Sequence, residues 1–153
     1  MKLDNIIIRK INKNEIDQLV DLCEAHAEYE EASYDRTNQV ERLTHYIFQE
    51  NHPVLNCMVA VVDTKLIGYI TFTKEFSTWS TCFYYHMDCL YLREEARKIG
   101  LGKRLMESMT DVAKQEGINH IQWQTPISNH NAIEFYTHLG ASSKEKIRFF
   151  LDL

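Results

Sequence analysis

The chain has 153 residues, 44% hydrophobic and 25% charged, with two prolines, five glycines and a formal net charge of −5. This length suits one domain spanning residues 1–153, and this composition excludes a disordered chain. The acidic balance argues against a nucleic-acid partner, which needs a basic face, and no apolar stretch approaches the ~20 residues of a membrane span.

The opening MKLDNIIIRK is too short in apolar residues for a secretory signal. Residues 6 to 11 form a β-branched run, expected as the first strand. Asn14 is expected to cap the next helix, which carries Ile16, Leu19, Val20 and Cys23 on one face. A second helix is expected over 38–48, burying Val40, Leu43, Tyr46 and Ile47. The period then changes to that of a hairpin: strands over 57–62 and 66–73 joined at Asp63-Thr64-Lys65. Another strand is expected over 83–92, then a helix over 103–116 stopped by Gly117. A strand over 118–124, a helix over 129–139 ended by Gly140, and a strand over 147–151 complete the order. This is an α/β pattern of the α+β type, with helices packed on a mixed sheet.

Cys23, Cys57, Cys82 and Cys89 are scattered among apolar runs, so reduced thiols in a cytoplasmic protein are expected. Cys23 and His26 share a helical spacing, but no second pair completes a zinc site, and no metal is expected. His86, His120, His130 and His138 have no partner at a diagnostic spacing, and no G-x-S-x-G elbow is present.

The most informative stretch is ARKIGLGKRLM, residues 96–106, between an expected strand and an expected helix. It is not a P-loop, because Arg104 rather than serine or threonine follows Lys103. Nor is it a dinucleotide fingerprint, because Leu105 stands where the third glycine belongs. Gly100 and Gly102 still permit close backbone approach, and the first N–H groups of a helix favour an anion. Arg97, Lys98, Lys103 and Arg104 supply charge. A phosphate cradle and a tight turn with solvated cations both fit these residues.

Three features together resemble the GNAT superfamily of acyl-coenzyme A-dependent N-acetyltransferases. One is Arg97-Lys98-Ile99-Gly100-Leu101-Gly102 after Tyr91-Leu92, similar to the family's R-x-x-G-x-G loop. Another is Asn129-His130-Asn131-Ala132-Ile133-Glu134-Phe135-Tyr136 with Gly140, similar to its N-x-x-A-x-x-F-Y helix. The third is the element order. The similarity extends to the spermidine/spermine and thialysine acetyltransferase group, through Asp88 in MDCLYL and the closing GASSKEKIRFFLDL. It implies a central mixed, mostly antiparallel sheet of six or seven strands flanked by about four helices.

The resemblance also implies a function. Acetyl-coenzyme A is the expected cosubstrate, with its phosphates held by the backbone from Lys98 through Ile99, Gly100, Leu101 and Gly102 to Lys103. Arg97 is expected to fix the loop. Leu90, Tyr91 and Leu92 are expected to pair their backbone with the pantetheine arm, and Asn129 to cap its helix and contact the cofactor. Tyr136 matches the family's tyrosine that protonates the departing thiolate; the alternative is a structural tyrosine that packs its ring. Asp88 could relay the amine's proton, bind an ammonium group or be a structural acid, and the family's usual Glu-Asp is Asp88-Cys89 here. The family's glycine after the loop arginine is Lys98 here. Homodimerisation is expected from relatives of this kind.

An alkyl amine with a pKa near ~10 must lose a proton before it can attack. The acids and aromatics from Glu24 to Asp35, Glu28 and Glu31 among them, could wall a cleft for a polyamine-like cation, with Trp79 on the other side. They could equally be a solvated helix face. Amino-acid, aminoglycoside and protein acceptors remain open, as does a coenzyme A-binding module without turnover.

Overall fold

The computed structural model describes residues 5–49 and 53–153. These fall into two compact units, Met1–Trp123 and Gln124–Leu153. The first contains β1 (Ile6–Lys10), α1 (Ile16–Tyr29), α2 (Gln39–Phe48), β2 (Asn56–Val62), β3 (Lys65–Ser77), β4 (Cys82–Leu92), α3 (Leu101–Gln115) and β5 (Ile121–Gln122). The second contains α4 (His130–His138). The five strands form one mixed sheet in the order β1-β2-β3-β4-β5, antiparallel except for the β4–β5 pair.

The helix start lies elsewhere than the sequence suggests. One turn of 3₁₀ helix, Lys13–Glu15, precedes α1, and its cap is Asn12 rather than Asn14. The Asn12 backbone N–H donates to Glu15 Oε2 at 2.9 Å, and the Glu15 N–H donates to the Asn12 carbonyl at 3.0 Å. Arg9 on β1 then grips the same carboxylate with both terminal nitrogens, at 2.8 and 2.6 Å. Asn14 lacks this position because the extra 3₁₀ turn moves the helix entry upstream. In α2 the packed stripe is Leu43, Ile47 and Phe48, while Val40 and Tyr46 stay exposed.

Ile16, Leu19, Val20 and Leu22 of α1 bury against Cys57, Val59, Val61, Leu66, Tyr69 and Tyr91 of the sheet. Met58, Ala60, Ile70 and Phe72, also buried, alternate with these along β2 and β3. They face the other side, where α3 packs with Leu105, Met109 and Ala113 buried. A register shift between Ala60 and Val61 leaves Ile67 as an extra residue in β3. That bulge lets Leu66 and Tyr69 share a face although an odd number of positions separates them.

Two expected strands change. The one expected over 118–124 is paired only at Ile121–Gln122, because Ile118 still belongs to the end of α3, its N–H donating to the Ala113 carbonyl at 2.8 Å. Residues 147–151 form no strand: Ile147 is 81% exposed and Phe149 87% exposed. β-propensity is only a fit to a half-buried ladder, and without a neighbouring ladder it does not act. The sheet therefore has five strands rather than six or seven. Among the described residues no helix is long and apolar enough to cross a membrane.

The Arg9 guanidinium holds the Glu15 carboxyl below its ordinary value of 4.5, against a burial effect that raises it. With the folded value depressed, this stabilisation is complete above the unfolded value and is lost as pH falls through the folded one. Glu15→Gln should cost about 1.5–3 kcal/mol at neutral pH, the range of hydrogen bonds to charged groups. The difference from wild type should shrink as pH falls below the ordinary value of 4.5, which denaturant unfolding at neutral and at acid pH would show.

Candidate active site

The site begins with a bulge. β4 pairs with β3 along its whole length, but Phe72 pairs with Met87 and Thr71 with Cys89, so Asp88 has no partner across the ladder. One extra residue inverts the facing of everything after it. Tyr85 and Met87 lie with Phe72 on the α3 side, whereas Cys89 and Tyr91 join Tyr69 under α1. Asp88 itself is exposed at the bulge.

The other edge of β4 is only half covered. β5 pairs with Tyr85 and His86 and no further. Among the described residues, no strand lies along that edge from Met87 to Leu92. Leu90, Tyr91 and Leu92 therefore present backbone donors and acceptors that an extended ligand could join as a strand does. On the β3 side they are held very close: a Cβ on Gly68 would sit 2.3 Å from Leu92 Cδ2 and 2.8 Å from the Tyr91 carbonyl oxygen.

The cationic loop follows. The Arg93 N–H donates to the Ile67 carbonyl at 2.9 Å, a 3₁₀ turn occupies Glu94–Ala96, and Lys98 turns the chain with φ of +60°. Gly100, at φ +82°, is the N-cap of α3, which starts two residues earlier than the sequence pattern suggests. Leu101, Gly102 and Lys103 are thus the first helical residues, whose N–H groups have no intrahelical acceptor. The four cations divide. Arg97 Nε donates to the Leu92 carbonyl at 2.9 Å, and its guanidinium lies 4.3 Å above the Tyr29 ring. Arg104 donates to the Ile6 carbonyl at 3.0 Å. Lys98 and Lys103 remain exposed, Lys103 lying 3.9 Å from Glu107. The first turn of α3 carries no acidic residue, and a Cβ at Gly100 would meet no atom within 4 Å. Open backbone, a helix N-terminus and two exposed lysines fit a diphosphate.

Beneath α1 lies a polar cluster that motif reading missed. His26 Nδ1 is 3.0 Å from the Tyr69 hydroxyl, and its ring stacks on Tyr91 at 5.0 Å between centroids. Tyr91 in turn meets Tyr29 and Arg97. Burial is the largest influence on His26 and lowers its pKa; Glu30 and Asp88 raise it and Arg97 lowers it. Burial likewise pushes the Cys89 thiol up to about 12 and the Tyr69 hydroxyl upward. The available signal was spacing: His26 stands three residues after Cys23 and four after Leu22, within the stripe that faces the sheet.

The structure gathers some acceptor-side candidates and separates others. Glu30 and Asp88 both act electrostatically on His26, so the end of α1 and the bulge share one environment. Glu28 and Glu31 are exposed near the end of α1 and have no ion pair among the described residues. Glu24 is instead paired with Arg36, at 2.5 Å. Trp79, 98% exposed, stands at the tip of the β3–β4 hairpin. Asp88 lies six residues beyond the start of β4, roughly 20 Å along the strand, so Trp79 does not share its cleft. Among the described residues no three His, Cys, Asp or Glu side chains gather as a metal site requires.

In the second unit, Asn129 caps α4 by accepting the Ala132 N–H at 3.2 Å. The helix ends in a Schellman motif: Gly140, at φ +85°, donates to the Thr137 carbonyl and Ala141 to the Tyr136 carbonyl. Tyr136 is half-buried, its ring 5.2 Å from that of Phe135.

A sequence profile of the acetyltransferase (GNAT) family matches residues 19–141, from α1 past the end of α4. The chain belongs to that family. It is 29% identical to thialysine N-epsilon-acetyltransferase of Caenorhabditis elegans over 134 residues, 88% of this chain and 81% of that protein. Its fold is shared with an aminoglycoside acetyltransferase from an uncultured soil metagenomic sample, solved with trehalose: the TM-score is 0.82 at 20% identity, covering 99% of this chain and 98% of that one. It is also shared with the aminoglycoside N-acetyltransferase AAC(6')-Iy in complex with CoA, with TM-score 0.81, 17% identity and coverage of 96% and 94%. This protein is thus a GNAT N-acetyltransferase, and the bulge, open strand edge and glycine-capped helix are its version of the family's fold.

Gly68→Ala should test the close approach at the strand edge. The clash with the Tyr91 carbonyl cannot be relieved by a side-chain rotation, so β4 must shift at Leu90–Leu92. The expected loss is about 1–3 kcal/mol of stability, as for overpacking, with weakened acetyl-coenzyme A binding in the folded fraction. Wild-type affinity by calorimetry would separate that edge from cofactor binding.

Proposed function

We propose that this protein transfers the acetyl group of acetyl-coenzyme A to a primary amine of a small, polyamine-like cation, by direct attack within a ternary complex. The observation that carries the reading is the continuity from the open edge at Leu90–Leu92 to the α3 N-terminus at Leu101–Lys103. An extended arm on the strand and a diphosphate at the helix match the two parts of coenzyme A in order. The name of the relative from Caenorhabditis elegans, which puts the acetyl group on the Nε of thialysine, supports a small amine as acceptor.

The roles follow from chemistry. The backbone of Lys98, Ile99, Gly100, Leu101, Gly102 and Lys103 holds the diphosphate, with the lysine side chains adding charge. Arg97, tied to Leu92 and covering Tyr29, fixes the loop. Backbone N–H groups at Leu90–Leu92 stabilise the charge that develops on the carbonyl oxygen. Asp88, Glu28 and Glu31 attract the cationic acceptor. Asn129 orders the start of α4, and Tyr136 donates a proton to the departing thiolate.

Release of coenzyme A on mixing acetyl-coenzyme A with an amine panel tests the reaction. Polyamines and diamines should be the best acceptors, and a preference for neutral or anionic amines would overturn the cationic acceptor. Tyr136→Phe keeps the ring and removes only the hydroxyl. Its single-turnover rate should fall by about 10²–10⁴-fold, the usual worth of general acid help, with cofactor affinity nearly unchanged. A wild-type rate would make Tyr136 a packing residue.

A further inference from the structure

We propose that His26 takes the proton that the acceptor nitrogen sheds as it attacks the acetyl group, its ring held by a hydrogen bond between Nδ1 and the buried Tyr69 hydroxyl and by stacking on Tyr91. The proposal rests on the acetyl-transfer reading above.

The buried Tyr69 hydroxyl lies 3.0 Å from His26 Nδ1. Beside it, at the bulge, the Cys89 thiol donates to Asp88 Oδ2 at 3.5 Å. In the competent tautomer Nδ1–H donates to the Tyr69 oxygen. With Nδ1 carrying the proton, Nε2 keeps its lone pair and is the nitrogen able to take another.

The surroundings suit that task. The groups that act on His26 are Tyr69 from β3, Asp88 and Tyr91 from β4, Glu30 just after α1, and Arg97 from the loop after β4. Burial and Arg97 keep the ring neutral at pH 7, while the Glu30 and Asp88 carboxylates stabilise the imidazolium once it forms. Stacking on Tyr91 fixes the ring plane. The same Tyr91 supplies backbone to the strand edge, so the proposed base is anchored to the segment that positions the thioester.

The step balances without another reactant. The neutral amine nitrogen forms a bond to the carbonyl carbon and gives one proton to His26 Nε2. The carbon–sulfur bond breaks, sulfur leaves with the electron pair and is protonated to the thiol, and His26 returns its proton to solvent.

The test is the pH profile of kcat/KM with the best amine of the panel. The acceptor's own ammonium gives a slope of one below its pKa, and His26 should add a second unit of slope below an apparent pKa under 6.5. His26→Asn keeps a donor to Tyr69 where Nδ1 stood and removes the base. It should abolish the second unit of slope and lower kcat/KM at pH 8 by about 10²-fold or more, with acetyl-coenzyme A affinity within a few-fold of wild type. Should that variant not fold, Tyr69→Phe removes the hydroxyl paired with Nδ1 while keeping the ring, and should lower kcat/KM about tenfold and move the second limb. An active wild type whose profile either folded variant reproduces overturns the proposal alone. A wild type that releases no coenzyme A with any amine overturns the acetyl-transfer reading, and this proposal falls with it.

Discussion

One extra residue in β4 organises this molecule. Had β4 paired with β3 in unbroken register, Cys89 and Tyr91 would lie on the α3 side with Tyr85 and Met87, and Asp88 would point beneath α1. The bulge sends the two halves of one strand to opposite layers. Its first half joins the core that α3 covers, and its second half joins the polar cluster that α1 covers. A second bulge, at Ile67, and the missing side chain at Gly68 let the end of β4 lie tight against β3. Arg93 completes the clamp, its N–H donating to the Ile67 carbonyl. The loop that follows therefore leaves from a fixed point, as the proposed phosphate cradle would need.

The charges show a second constraint. A helix favours acids at its N-terminus and cations at its C-terminus, each worth about 0.3–1 kcal/mol. α1 follows this at its start, with Asp17 in the first turn, but opposes it at its end, where Glu28 and the cap residue Glu30 stand with Glu31 just beyond. Arg36 offsets Asp21 and Glu24 but not Glu28 or Glu31. That arrangement opposes helix stability, and an incoming cation would relieve it. At α3 the logic runs the other way: a helix start with no carboxylate in its first turn and two exposed lysines favours an anion. A chain of net charge −5 thus keeps two opposite local fields, each matched to one half of the proposed reaction.

Much of this was legible in the residues. The helix stops at Gly117 and Gly140 followed from glycine's freedom at positive φ, and both residues adopt it. Asn129 was legible as a cap because its side chain precedes a clean i, i+3, i+4 pattern. The long strand and the glycine loop were legible through a change of period. What was not legible depended on partners distant in sequence. The 3₁₀ turn that replaced Asn14 with Asn12 is the exception, since Arg9, which fixes it, stands only six residues before Glu15. The run at 147–151 has a strand's composition but no described ladder to join. The bulge at Asp88 leaves no composition signal, because MDCLYL reads equally well in either register. For the same reason His26 and Tyr69, 43 residues apart, could not be paired beforehand.

Lys98 shows how the loop reconciles shape with charge. Its φ of +60° is a conformation that glycine adopts freely and that costs another residue about 1–2 kcal/mol. The family resemblance places a glycine there, so the lysine is held in a glycine's backbone geometry. The strain persists because the neighbours on both sides are fixed, by the Arg97 bond to Leu92 and by the Gly100 cap of α3. In return the loop keeps an exposed ammonium beside the helix N-terminus. Arg97 and Arg104, both half-buried, instead hold backbone carbonyls. Within this loop the arginines do the architectural work, and the exposed charge beside the helix N-terminus is that of Lys98 and Lys103.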